Sequence, residues 1–144
     1  MNTMRMEKMF KGAGELTNEV TLPEADVMRF VKMDKDFIGK AQTQNSLNTE
    51  NPWICAYLQI EPNGIEDGHG GEAVLLDNQV VGSTASITYG HSTGSILAFA
   101  YIKPVAATPG TKLRVVIAGT ERETVVHATP AYDPDSILPR TDVS

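Results

Sequence analysis

Residues 112–127 read KLRVVIAGTERETVVH. Two runs of strand-forming residues flank a turn at Ala118-Gly119-Thr120, and Leu113, Val115 and Ile117 fall on one face because successive strand side chains point to opposite sides. That is a β-hairpin with an apolar face to bury. Upstream, LLDNQVV (residues 75–81) repeats the arrangement, with Asp77-Asn78 between apolar flanks. Both residue types tolerate the positive φ angles of a tight hairpin. In WICAYLQIE (residues 53–61), Ile54, Ala56, Leu58 and Ile60 share a face, as expected of a half-buried strand. Extended outward, the pattern predicts strands near 53–61, 72–76, 79–89, 95–102, 112–118 and 122–128, separated by Gly, Pro and Asn turns. Short strands at hairpin spacing with almost no helix predict a mainly β fold, a six-stranded antiparallel Greek-key barrel, since closure removes unpaired edges. A sandwich is the alternative.

Ahead of the barrel the pattern predicts a small α+β segment over 1–51, with the barrel at 52–130 and an irregular tail at 131–144. Within the first segment, Met4 to Phe10 reads as a short strand, followed by a Gly12-Ala13-Gly14 turn. The stretch TLPE has the form of a capping box, Thr21 accepting from the Glu24 backbone while Glu24 reaches back to Thr21, and opens a short helix at Pro23 to Asp26. Val27 to Lys32 alternates loosely and is read as a strand. DKDFIGKAQTQ (residues 34–44) is read as a helix capped by Asp36, with Phe37, Ile38 and Ala41 at helical spacing.

With 144 residues, 41% hydrophobic and 21% charged, the chain suits one globular domain that buries about 70% of its unfolded surface. No apolar run approaches the roughly 20 residues of a bilayer span, so no membrane association is expected. Residues 1–10 lack an apolar signal region, and with the single cysteine, Cys55, they lead us to expect a cytoplasmic setting. Cys55 itself lies in a strand-like run and is read as a buried small hydrophobe. A formal charge of −6 with thinly spread basic residues argues against nucleic acid.

Chemistry-bearing residues are sparse. His69 in GHGG, His91, His127 and Cys55 stand on separate elements, and zinc needs three or four converging ligands, so no metal site is expected. The loop TYGHSTG (residues 88–94) carries Tyr89 and His91, either of which could hydrogen-bond a ligand, although a polar loop at a barrel end needs no such role. No GxSxG nucleophile motif occurs, and Asp77, Asp133 and Asp135 lie in turns where carboxylates cap backbone amides. The residues alone show no catalytic constellation.

The order of motifs adds to this. MRMEKMFKGAGELTNEVTLPEADVMRFVKMDKDFIGK, then GGEAVLLDNQVVGSTASITYGHSTGSILAFAYI, PGTKLRV and TPAYDPD, resembles the C-terminal portion of the glycine cleavage T-protein (aminomethyltransferase) family. The likeness is strongest to the folate-binding half of dimethylglycine and sarcosine dehydrogenases. It implies that residues 5–40 are the last strand and helices of a folate-binding core and that residues 53–130 are the terminal barrel. It also implies tetrahydrofolate as cofactor, provided that the larger N-terminal part completes the pocket. Glu7 matches the glutamate that holds the pterin ring, and Tyr89 and His91 match a barrel loop facing the pocket. Met9 stands where the family usually has glycine. The expected function is the C-terminal barrel portion of a tetrahydrofolate-dependent aminomethyltransferase or of a dimethylglycine or sarcosine dehydrogenase-like protein, inactive alone, with a homodimer or a separately encoded folate-binding domain as partner. The alternative is a stand-alone binding or interaction module that has lost one-carbon chemistry.

Overall fold

Asp77 and Asn78 adopt φ of 48° and 66°, and Ala118 and Gly119 adopt 48° and 80°. Two successive positive φ angles give the tight turn whose twist matches that of its flanking strands, so these pairs fix two hairpins. The computed structural model describes residues 2–62 and 68–141. Its strands are β1 (Ile54–Ile60), β2 (Ala73–Leu76), β3 (Gln79–Gly90), β4 (Ser95–Ile102), β5 (Lys112–Ile117) and β6 (Thr120–His127). They close into an antiparallel barrel in the order β1-β4-β3-β2-β5-β6. Strands β2, β3 and β4 follow one another by hairpins and β5 returns beside β2, which makes the topology a Greek key. All six expected strands are present, their ends shifted by up to two residues.

Closure has visible devices. β2 and β3 shift register between Val74 and Leu75, and β3 and β4 between Thr84 and Ser86, bulges that bend the long third strand around the barrel. Gly82 lies where β3 presses against β4: a Cβ there would stand 2.0 Å from the Tyr101 carbonyl oxygen, so no larger residue fits without moving a strand. Inside, Leu58, Ile60, Val74, Ala98, Ala100, Ile102 and Val115 are wholly buried.

A second apolar cluster lies outside the barrel. Cys55, Tyr57, Leu97 and Phe99, on the outward faces of β1 and β4, pack with Met6. Met6 belongs to the helix α1 (Asn2–Glu7), which lies across β3 and β4. β1 is therefore covered on both faces rather than half-buried: outward-facing Tyr57 and Cys55 are as enclosed as inward-facing Leu58.

The expected strand over Met4–Phe10 is corrected to this helix. Met, Arg, Glu and Lys are good helix formers, and a closed barrel offers no edge on which a further strand could pair. For the same reason Val27–Lys32 is no strand but a 3₁₀ turn at Met28–Phe30. The capping box does form: Glu24 accepts from the Thr21 backbone at 2.8 Å and from its hydroxyl at 2.7 Å. It closes a turn over 22–26 instead of the expected helix. The helix expected after Asp36 starts later, as α2 (Lys40–Leu47), because Gly39 at φ 90° is the residue that breaks into it. Ile38 consequently lies fully exposed.

Candidate functional site

The four residues RMEK at the start of the chain are each tied down by side-chain or backbone bonds. Arg5 donates to the Glu15 carboxylate at 2.9 Å and to Ser86 Oγ on β3 at 3.1 Å, and Glu15 is completely buried. The Met6 carbonyl accepts from Tyr57 Oη at 2.8 Å. The Glu7 carbonyl accepts from the Tyr132 amide at 3.1 Å. Lys8 Nζ donates to the Asp133 carbonyl at 2.7 Å, to its carboxylate at 3.0 Å and to Ser136 Oγ at 3.2 Å. Residues 132–136, the first part of the irregular tail, thus hold the end of α1.

The helix ends in a Schellman turn, with Met9 N–H bonded to Met6 O at 3.0 Å and Phe10 N–H to Arg5 O at 2.8 Å. This puts Met9 at φ 58°, in the left-handed region where glycine is the default. The chain therefore keeps the backbone conformation that a glycine would favour while carrying a side chain, which packs against the second apolar cluster.

Glu7 is 5% exposed, and its carboxylate is aimed at the loop between β3 and β4. Ser92 N–H donates to Oε1 at 2.6 Å and Ser92 Oγ donates to Oε2 at 3.1 Å. A carboxylate has about four lone-pair sites, so two remain for other donors. In the same loop region the Tyr89 and His91 rings meet edge-on, 5.1 Å between centroids. Tyr89 is 36% exposed and His91 is open to solvent. The structure thus brings Glu7 to the loop that carries His91, next to Ser92, with Tyr89 at the end of β3. Ser92, whose two donors hold Glu7, is not among the residues that the sequence points to. Its partner lies 85 residues away, and no local pattern announces the pair.

Elsewhere the polar groups serve the frame. Burial alone would raise the Glu72 carboxyl, but donation from the Thr84 hydroxyl and from the amides of His69 and Gly70 outweighs it and holds the group below the usual carboxylate range. The GHGG loop is anchored in this way at its Glu72 end. Burial pushes the Cys55 thiol up to about 12 and the Tyr57 hydroxyl to about 12, so both stay neutral. Among the described residues, no group of three or more His, Cys, Asp or Glu side chains is arranged to hold a metal. No described helix is long and apolar enough to cross a membrane.

The glycine cleavage T-protein C-terminal barrel domain family matches residues 55–133, more than half of the chain. A probable aminomethyltransferase of Thermococcus kodakarensis is 27% identical over 143 residues, covering 92% of this chain and 35% of that protein. An aminomethyltransferase of Saccharopolyspora erythraea is 31% identical over 134 residues, covering 91% and 36%. In fold, the crystal structure of glycine cleavage system aminomethyltransferase T from Bartonella henselae superposes with a TM-score of 0.79 at 19% identity, over 92% of this chain and 38% of that one. The chain spans little more than a third of the length of these relatives. With a Greek-key barrel and a matching region that covers most of it, the chain belongs to the glycine cleavage T-protein C-terminal barrel domain family.

Proposed function

We propose that this chain is the C-terminal barrel portion of a tetrahydrofolate-dependent aminomethyltransferase, supplying one wall of the folate site and performing no one-carbon transfer by itself. The observation that carries the reading is the fixing of Glu7 against the barrel loop, in a chain of this family. Tetrahydrofolate presents an amino-pyrimidine edge with parallel N–H donors. Glu7 suits such an edge because Ser92 fixes the carboxylate plane while two lone-pair sites stay available. Its burial excludes competing water and strengthens any such bond. Tyr89 and His91, exposed on the loop region, are the further residues we assign to the pocket wall. The named relatives are aminomethyltransferases, which favours that branch over a dimethylglycine or sarcosine dehydrogenase.

The chemistry itself, passage of a one-carbon unit from an aminomethyl donor to tetrahydrofolate, needs groups beyond those described. Among the described residues no nucleophile, base and orienting partner converge. The test is an assay of one-carbon transfer to tetrahydrofolate by this chain, by the N-terminal part of the Thermococcus kodakarensis relative, and by the two together. Activity in the mixture alone, reduced at least about tenfold by Glu7→Gln, is the expected result. Transfer by this chain alone, or a mixture indifferent to Glu7→Gln, would overturn the proposal. The second reading, a stand-alone binding module, draws on the engagement of both Glu7 oxygens by Ser92, which gives the carboxylate a purely structural use.

A further inference from the structure

Glu7 is the last residue of α1, a helix of six residues. So short a helix does not hold its own shape in water, and the direction of the Glu7 side chain has to be set from outside it. Two peptide planes flank the Glu7 Cα, and both are pinned. The Met6 carbonyl accepts from Tyr57 Oη at 2.8 Å, and the Glu7 carbonyl accepts from the Tyr132 amide at 3.1 Å. With both planes fixed, the Cα–Cβ bond of Glu7 has a set direction, and Ser92 holds the carboxylate at its far end.

The two anchors differ in what supports them. Tyr57 lies in the second apolar cluster, on a strand paired along both edges. Tyr132 belongs to no helix or strand. Its amide stays on Glu7 because the next residue, Asp133, is tied to Lys8, the residue after Glu7. An ammonium has three N–H donors, and three acceptors meet Lys8 Nζ: the Asp133 carbonyl at 2.7 Å, its Oδ2 at 3.0 Å and Ser136 Oγ at 3.2 Å. The other carboxylate oxygen of Asp133 accepts from the Ile137 amide at 2.8 Å and from the Leu138 amide at 3.4 Å, which winds the chain into a turn around that side chain. The Asp133 side chain is 8% exposed, so salt screens the pair weakly. Lys8 Nζ also stands 5.9 Å from the centre of the Tyr132 ring. Residues 7 and 8 are thus matched to residues 132 and 133, and release of the second pair frees the first.

We infer that Asp133 is a positioning residue for Glu7: its contact with Lys8 keeps the Tyr132 amide on the Glu7 carbonyl and so aims the Glu7 carboxylate at the amino-pyrimidine edge of tetrahydrofolate. The inference rests on the function proposed above, while the positioning itself has a readout that needs no folate.

Asp133→Asn keeps an oxygen for the Ile137 amide and tolerates the left-handed backbone at φ 43°, while it replaces the acceptor that faces Lys8. Lys8→Met removes the same contact from the helix side. In NMR spectra of this chain, both variants should move the Ser92 amide proton upfield as its bond to Glu7 loosens. Tetrahydrofolate affinity is then measured for this chain combined with the N-terminal part of the Thermococcus kodakarensis relative. Each variant should weaken binding about fivefold when Glu7 is present and by less than about 1.5-fold in a Glu7→Gln background, because a residue that acts through Glu7 has nothing to aim once the carboxylate is gone. A merely structural role would weaken binding equally in both backgrounds. An unmoved Ser92 amide, equal losses in the two backgrounds, or an affinity that depends on Glu7 but on neither Asp133 nor Lys8 would each overturn the inference. Binding absent from the mixture, or indifferent to Glu7→Gln, would refute the function instead, and the Ser92 amide would still decide whether Asp133 fixes Glu7.

Discussion

Glu7 and Ser92, 85 residues apart, are joined by two hydrogen bonds: the Ser92 amide to Oε1 at 2.6 Å and the Ser92 hydroxyl to Oε2 at 3.1 Å. One side chain thereby locks the N-terminal helix to the barrel loop. Because Glu7 is 5% exposed, losing the Ser92 hydroxyl leaves Oε2 without that donor away from water, while the residue 92 amide still holds Oε1. Ser92→Ala should cost about 1–2 kcal/mol of unfolding free energy, within the range for an orphaned buried acceptor. In a double-mutant cycle with Glu7→Gln the two changes should couple by about 0.5 kcal/mol or more. Strict additivity in urea melts would show that the hydroxyl bond to Glu7 is not formed.

Met9 tests the helix end. At φ 58° any residue with a Cβ is strained by about 1–2 kcal/mol, and glycine is not. Comparison of Met9→Gly with Met9→Ala separates backbone from packing, since both variants lose the side chain that lies against the second cluster. The glycine variant should be more stable than the alanine variant by about 1 kcal/mol. Equal stability, or an advantage for alanine, would contradict a left-handed residue here.

Glu72 supplies a pH signature. Its carboxyl is held below the ordinary value in the folded chain by Thr84 and the amides of His69 and Gly70, against the opposing effect of burial. A depressed folded-state pKa stabilises at pH values above the unfolded pKa of about 4.3 and ceases to do so as pH falls through the folded value. Thermal melts of the native chain and of Glu72→Gln should therefore differ near neutrality and converge as pH falls below the ordinary carboxylate range. A gap that widens on acidification would reverse the assigned direction.

The barrel was legible because its determinants are local. Asp77-Asn78 and Ala118-Gly119 mark their turns by residue type, and the faces around Leu58 and Val115 follow from a period of two. The first 40 residues were less so. Met4–Phe10 and Val27–Lys32 carry enough apolar alternation to suggest strands, yet a sheet that closes on itself leaves no edge for them, and closure is a property of the whole chain. Gly39 ahead of α2 is a local cue to the helix boundary, masked by the helical spacing of Phe37, Ile38 and Ala41. Glu7 was reached through the resemblance, not through its surroundings. Ser92 and the Lys8–Asp133 clasp join segments far apart in sequence, and such pairs leave no mark on either segment alone.

Calorimetric titration with tetrahydrofolate tests most directly the claim that this chain is one wall of a folate site and not the whole of it. A pocket must enclose most of a ligand this size, and Glu7 with one loop does not. The chain alone should show a dissociation constant no tighter than about 1 mM, equivalent to about 4 kcal/mol of binding. Combined with the N-terminal part of a relative, it should bind at least about a hundredfold more tightly, with about a tenfold loss on Glu7→Gln. Micromolar binding by the chain alone, abolished by Glu7→Gln, would contradict the account and make this an autonomous folate-binding protein.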